Sequence, residues 1–117
     1  MQELLAFPLA VLTFADLLED TLGICFIDND GVLSSLLKGS NTALDANLCV
    51  GQIWLDLTRL KVGMLLARVE SGANVADAPS RDEFSFLSRV KAVFRKPIMP
   101  QWIESIWAFP VADANCR

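Results

Sequence analysis

The sequence predicts an α/β fold, because two short apolar runs of strand character alternate with longer segments of helical spacing. The first run is Gly-Ile-Cys-Phe-Ile-Asp at 23–28, and the second is Lys-Val-Gly-Met-Leu-Leu-Ala-Arg-Val-Glu at 61–70. Short uninterrupted apolar runs are typical of strands that are covered on both faces of a sheet. The predicted element order, α-β-α-α-β-α, is that of a layered domain in which helices pack on a sheet.

The first predicted helix runs from Glu3 to about Leu18, where apolar residues recur at helical spacing. They occupy positions 4, 5, 9, 12, 15 and 18, which gives the segment one broad apolar face. Pro8 lies within this segment, and a proline beyond the first turn kinks or restarts a helix. The sequence therefore predicts an N-terminal helix with an irregularity near Pro8.

The segment between the two predicted strands contains a turn and two helices. The turn is Asp28-Asn29-Asp30-Gly31, and Asp30 is the predicted N-cap of a short helix over 32–38 that Gly39 ends. A longer helix follows over 42–60. Its apolar residues that are predicted to face inward are Leu44, Leu48, Trp54 and Leu55.

Shorter elements are predicted after the second strand. Residues 71–74 form a tight loop, and residues 75–81 open a helical turn that Pro79 limits. Residues 82–94 are predicted to form an amphipathic helix. The remaining residues are expected to be irregular and packed by their aromatic side chains, with Pro97, Pro100 and Pro110 around Trp102 and Trp107.

The length of the chain limits it to one domain or a piece of one. Its 117 residues include 53% hydrophobic residues, which is enough to fill a core. The longest apolar stretch is interrupted by Asp16, Glu19 and Asp20, so no membrane partner is expected. The N-terminus lacks the basic region of a secretory signal, and the three cysteines lack metal-ligand spacing. We therefore expect an intracellular protein that is not secreted.

The chain contains no histidine, which excludes Ser-His-Asp and Cys-His nucleophilic sites and any zinc site that uses histidine. Charge is unevenly distributed. Residues 1–80 carry four basic and ten acidic side chains, a net charge of −6, whereas residues 81–117 carry six and four, a net of +2. The basic residues of the second part form either a solvated helix face or a weak phosphate-contacting patch: Arg89, Lys91, Arg95 and Lys96.

Three acids lie on three different predicted elements. Glu3 is in the first helix, Asp28 ends the first strand, and Asp77 follows the loop after the second strand. Carboxylates that meet raise each other's pKa unless cations neutralise them. Two Mg²⁺ or Mn²⁺ ions about 4 Å apart would neutralise such a set, and could activate a water and stabilise a leaving oxygen in phosphodiester cleavage.

Five segments carry a resemblance to a known family. They are Gln-Glu-Leu-Leu-Ala at 2–6, Phe-Ile-Asp-Asn at 26–29, Leu-Leu-Lys-Gly-Ser at 36–40, Arg-Val-Glu-Ser at 68–71 and Asn-Val-Ala-Asp-Ala-Pro-Ser-Arg at 74–81. In this order they resemble the ribonuclease H-like domain that follows the reverse transcriptase of some retroelements. The resemblance covers about residues 2–81.

The resemblance implies a site and an activity. Glu3 would be the helix-borne metal ligand, Asp28 the central-strand ligand and Asp77 the late ligand, and Asn74 would organise the loop that carries Asp77. The implied activity is endonuclease cleavage of the RNA strand in an RNA–DNA hybrid, with Mg²⁺ or Mn²⁺ as the cofactor.

The chain also departs from the family pattern. The family places its first aspartate in a strand hairpin before the Glu-bearing helix, whereas this chain has two residues before Glu3. We therefore expect an incomplete ribonuclease H-like fold over 1–81 that lacks the N-terminal hairpin and three of five strands. Residues 82–117 would add a C-terminal helix and a tail. Such a fragment is expected to be weakly active or inactive, and an open sheet edge could lead to self-association.

A second resemblance lies in the same region. Ile-Cys-Phe-Ile-Asp-Asn-Asp-Gly-Val-Leu at 24–33 resembles the opening motif of haloacid-dehalogenase-type phosphatases. In this interpretation Asp28 is the nucleophile, Asp30 the general acid, and Lys61 the later lysine. The acidic pair that this family places after another strand has no clear counterpart.

A third interpretation assigns no catalysis. Asp28 and Asp30 would cap the helix that they precede, Asp77 would lie in a turn, and Glu3 would be a solvated acid in a first helical turn. The chain would then be a non-catalytic fragment that interacts with a partner.

Overall fold

The structure, a computed structural model, describes residues 2–106. The helices are α1 (Gln2–Thr13), α2 (Ala15–Leu18), α3 (Asp30–Lys38), α4 (Leu44–Arg59), α5 (Asp77–Ser80) and α6 (Ser85–Arg89). The strands are β1 (Leu22–Ile27) and β2 (Gly63–Arg68), and Ser71–Ala73 forms one 3₁₀ turn. Residues 102–106 are helical as well. The predicted α/β class is confirmed as a mixed helix and strand arrangement around a small sheet.

The sheet of the described residues consists of β1 and β2, which pair in parallel. The register aligns Leu22 with Gly63 at one end and Ile27 with Arg68 at the other. Parallel strands require a crossover connection, which α3 and α4 provide. Because both strands run in the same direction, the residues that follow them, from Asp28 and from Val69, lie at one common edge. We call it the carboxyl edge.

The core lies between α1, α4 and one face of the sheet. Its buried residues are Leu4, Phe7, Val11, Ile27, Leu36, Ala46, Cys49, Val50, Ile53, Leu57, Leu66 and Ile106. Full burial of a large apolar side chain stabilises a fold by about 1.5–3 kcal/mol. The presence of Ile106 shows that the helical residues 102–106 pack on the same core as α1 and α4.

The N-terminal helix differs from its prediction. The helix continues through Pro8, which is buried, and the break occurs instead at Phe14, between α1 and α2. Leu4, Phe7 and Val11 are buried on both sides of the proline. Their packing offsets the backbone hydrogen bond that Pro8 cannot donate. None of the helices in residues 2–106 is long and apolar enough to cross a membrane.

The predicted inward face of the long helix was wrong. Leu44, Leu48 and Leu55 are exposed, and α4 instead buries Ala46, Cys49, Val50, Ile53, Asp56 and Leu57. The buried set also follows helical spacing, and it contains small residues that let α1 approach closely. The predicted Trp54 contact is present, because Trp54 packs against the core and its indole Nε1 donates a 2.9 Å hydrogen bond to the Leu36 carbonyl.

The predicted helix over 82–94 was also wrong, since only Ser85–Arg89 are helical in that range. Asp82 and Lys91 adopt positive φ angles of 61° and 55° on either side of α6. Apolar residues of this segment, such as Val93 and Phe94, remain exposed. A short helix is unstable without an apolar face packed on a core. In the tail, Trp107 and Pro110 lie outside the described residues.

The helix caps were partly predicted. Gly39 ends α3 in the left-handed conformation, at φ 73°, as expected. The N-cap, however, is Asn29 and not Asp30, because the Asn29 side chain accepts a 2.9 Å hydrogen bond from the Val32 amide. Asp30 is the first helical residue, where its charge interacts favourably with the helix dipole.

Candidate metal centre

The carboxyl edge brings Asp28 and Asn74 into direct contact. Asp28 follows β1, and Asn74 follows the 3₁₀ turn after β2. The side-chain Nδ2 of Asn74 donates a 3.0 Å hydrogen bond to Oδ2 of Asp28, and both residues are half-buried. The backbone supports this contact, since the Val69 amide donates to the Ile27 carbonyl at 3.0 Å and extends the strand pairing up to the edge.

Asn74 also shapes the loop that leads to Asp77. Its Oδ1 accepts a 3.1 Å hydrogen bond from the Ala76 amide, and its carbonyl accepts a 3.0 Å hydrogen bond from the Asp77 amide. Asparagine side chains commonly stabilise turns by such a bond to the amide two residues later. These bonds hold the turn between Asn74 and Asp77, the first residue of α5. The Asp77 carboxylate lies 3.5 Å from Nη2 of Arg81.

Glu3 reaches the carboxyl edge from the first turn of α1. Its carboxylate accepts a hydrogen bond from Nδ2 of Asn29, the residue next to Asp28. Asn29 thus holds Glu3 with its amide nitrogen while its Oδ1 caps α3. The sequence prediction missed this role of Asn29. The available signal was the preference for asparagine at helix N-caps.

The predicted site residues each bind a neighbouring amide group, and their carboxylates do not meet at a common point. Glu3 binds Asn29, Asp28 binds Asn74, and Asp77 is linked to Asn74 through its backbone. Within residues 2–106, no three aspartate, glutamate, cysteine or histidine side chains are close enough together to hold a metal ion. Amide groups donate to Glu3 and Asp28, and the guanidinium of Arg81 pairs with Asp77, so the charges are met singly and the repulsion of facing carboxylates is avoided.

The donor types at this edge nevertheless fit a hard cation. Carboxylate and amide oxygens are the ligands that Mg²⁺ prefers. The amides bind one oxygen of each acid, Oδ2 of Asp28 and Oε2 of Glu3, so an ion would bind the other oxygen or share the bonded one. Asp30 is less available, because its Oδ1 accepts a 2.7 Å charged hydrogen bond from Nε of Arg68.

The arrangement does not assemble the residues of the phosphatase interpretation. Lys61 precedes β2 and therefore lies beyond the amino end of the sheet, whereas Asp28 lies beyond the carboxyl end. The five-residue rise along each strand separates these ends by roughly 17 Å. A lysine side chain does not span that distance, so Lys61 and Asp28 belong to different edges.

The basic residues near the C-terminus do not form one free patch. Nη1 of Arg95 lies 2.6 Å from Oδ1 of Asp16 and donates a 3.1 Å hydrogen bond to the Thr13 carbonyl. Its guanidinium also stacks 5.2 Å from the ring centre of Phe14. Arg95 therefore fixes its segment to the end of α1.

Comparison with known proteins adds no relative. No protein-family model, no curated protein and no solved structure matches the chain. The functional interpretation rests on the residues and on the geometry of the carboxyl edge.

Proposed function

We propose that this chain is a ribonuclease H-like module of a reverse-transcribing element, and that its carboxyl edge is a divalent-metal site. The ligands would be Glu3, Asp28 and Asp77, with Asn74 in a supporting role. The observation that carries the proposal is the hydrogen bond between Asn74 and Asp28. It joins the late Asn-x-x-Asp motif to the aspartate that follows β1, as a site assembled from separate motifs requires.

Different elements of the fold hold the residues of the proposed site in place. Asp28 is fixed by the end of β1, whose pairing with β2 holds the backbone in place. Asn74 orients one Asp28 oxygen and holds the loop before Asp77. Glu3 lies on α1. The packing of Leu4 and Phe7 in the core holds this helix, and with it Glu3, in place. Bound Mg²⁺ would activate a water and stabilise the leaving oxygen.

The proposed substrate is an RNA–DNA hybrid, and the expected rate is low. The proposed ligands do not converge on one point in this structure, because amides bind one oxygen of Glu3 and one of Asp28 and Arg81 pairs with Asp77. We therefore expect divalent ions to bind weakly and cleavage to be slow. Metal binding is therefore the more sensitive property to measure, and cleavage is the more specific one.

Both properties can be tested with one pair of variants. Mn²⁺ should broaden the NMR signals of Asp28 and Asn74 selectively, and slow cleavage of the RNA strand should require Mg²⁺ or Mn²⁺. Asp28→Asn should remove the broadening and the cleavage. Asp20→Asn is the matched control, because Asp20 lies before the amino end of β1 and its positive φ of 58° suits asparagine. Cleavage that survives Asp28→Asn, or no selective broadening in the unaltered protein, would refute the proposal.

A further inference from the structure

One face of the sheet is covered by the core, and the other is open to solvent. On the open face Leu22 is 92% exposed, Ile24 59%, Phe26 61% and Leu65 62%. The prediction that the apolar runs are covered on both faces was therefore wrong for this face among the described residues. Parallel sheets almost always have both faces covered. An exposed apolar face of this kind is therefore a candidate surface for packing against another protein surface.

The open face carries no charged side chain between its first and last rows. The register forms three cross-strand rows, which are Leu22 with Gly63, Ile24 with Leu65, and Phe26 with Ala67. We call these six residues the apolar sheet face. A shallow depression of about 500 Å³ lies along the amino-terminal half of the two strands, where Leu22, Ile24, Gly63 and Leu65 of this face line it together with Gly23 and Met64. Its occupant must be apolar as well, because no side chain of the face can pair with a charge.

The size of the apolar sheet face fits a small protein interface. Its four exposed large side chains present roughly 500 Å² of surface, which is near the upper end for the largest apolar patch of a monomer. Two such faces together would bury about 1,000 Å², which is the lower limit for a specific interface. A second copy of the chain therefore supplies enough area for a weak dimer.

The face is also complementary in shape to itself. In the carboxyl-terminal row a large side chain, Phe26 on β1, lies beside a small one, Ala67 on β2. In the amino-terminal row the Leu22 side chain leans over Gly63, where an added Cβ would lie 2.5 Å from Leu22 Cδ2, so that row is evenly filled. A twofold axis parallel to the strands places β1 of one copy over β2 of the other, with Phe26 above the partner's Ala67.

We infer that the apolar sheet face packs against the same face of a second copy, forming a twofold-symmetric dimer with two stacked sheets. Stacked sheets lie about 10 Å apart with strands inclined by about 30°, which leaves room for these side chains. The contact is isologous, so it closes after two copies. The carboxyl edge lies at the end of the strands and remains accessible, so the inference does not depend on the proposed function.

Sedimentation equilibrium across the micromolar range tests the dimer. We expect a micromolar dissociation constant, because the interface is at the lower size limit. Leu65→Lys places a charge at the centre of the face and should raise the constant at least about tenfold. Leu37→Lys is the matched control, because it is the same substitution at a similarly exposed leucine on α3, 64% against 62%, and it should leave the constant unchanged. Circular dichroism confirms that each variant folds, and Ile24→Lys replaces Leu65→Lys if that variant does not.

A monomer at all concentrations overturns the inference, and so does an equal effect of the two lysine variants. Amide hydrogen exchange separates face packing from edge pairing. If two copies instead joined through the free edge of β1, the β1 amides that point away from β2 would become protected, and Leu65→Lys would leave the dimer intact. That result would also overturn the inference. If the amides of the two strands were protected in a protein that stays monomeric, another part of the same chain would cover the apolar sheet face. That result would also overturn the inference.

Discussion

Asn74 and Asp28 are 46 residues apart in the chain, yet the amide of Asn74 donates a 3.0 Å hydrogen bond to the carboxylate of Asp28. The contact joins the segments that follow the two parallel strands. A neutral amide thus lies where a second carboxylate would repel Asp28. A cation at Oδ2 of Asp28 would have to displace this amide or share the oxygen with it, so the contact would oppose metal binding at that oxygen.

Replacing Asn74 with aspartate should make the stability of the protein depend on metal. Without divalent ions, Asn74→Asp should lose about 1–2 kcal/mol of unfolding free energy, because a charge-assisted hydrogen bond becomes a repulsion. Millimolar Mg²⁺ or Mn²⁺ should restore most of the loss, since the ion binds the folded state. Urea unfolding with and without the ion measures both effects.

The control for this experiment is Asn74→Ala. It removes the same hydrogen bonds to Asp28 and Ala76 without adding a charge, so it should be destabilised and should recover much less in Mg²⁺ than Asn74→Asp does. Equal recovery of the two variants would show that the added carboxylate does not contact the ion.

The strands were predictable from local sequence, but the faces of the elements were not. Both strands coincide with the continuous apolar runs, and Gly39 ends α3 because a left-handed residue is required there. In α4, two apolar stripes compete, and packing on α1 selects the stripe of Cys49 and Ile53 over that of Leu44 and Leu48. Periodicity alone does not predict which of the two stripes is buried.

The candidate site was predictable only in part for a similar reason. Parallel strands bring their carboxyl ends together, so the proximity of Asp28 and Asn74 follows from the fold class. The contact between Glu3 and Asn29 depends on the angle at which α1 crosses the edge, which the core residues set. That crossing angle cannot be predicted from the order of residues along the chain.

Two glycines on neighbouring helices should respond in opposite directions to alanine. Gly39→Ala should lower the unfolding free energy by about 1 kcal/mol, because φ is 73° there and an added Cβ meets nothing within 4 Å that could compensate. Gly51→Ala, in the exposed middle of α4 with equally open space, should raise it by about 0.5–1 kcal/mol. Chemical unfolding of both variants is the test, and a stabilised Gly39→Ala would contradict the assigned cap.

The C-terminal helical residues should be anchored by one buried carboxylate. The indole Nε1 of Trp102 donates a 3.0 Å hydrogen bond to Oδ2 of Asp56, which is buried on α4, and Nη1 of Arg59 lies 3.5 Å from the other oxygen. Trp102→Phe should cost about 1–3 kcal/mol, because it leaves a buried acceptor without that donor. A double-mutant cycle with Asp56→Ala should show coupling between the two residues. Simple additivity would mean that Trp102 stabilises the protein by packing alone.

Acid should weaken the contact between Arg95 and Asp16. The hydrogen bond and charge of Arg95 hold the pKa of the Asp16 carboxyl below its ordinary value of 3.8. A depressed folded-state pKa means that the contribution to stability is present above 3.8 and is lost as the pH falls through the folded-state value. Arg95→Met should raise the pKa of Asp16, since the pairing is removed, whereas Arg89→Met in the same segment should not. Carboxyl NMR titration from about pH 2 to pH 6 measures this directly, and an unchanged Asp16 in Arg95→Met would disprove the anchoring.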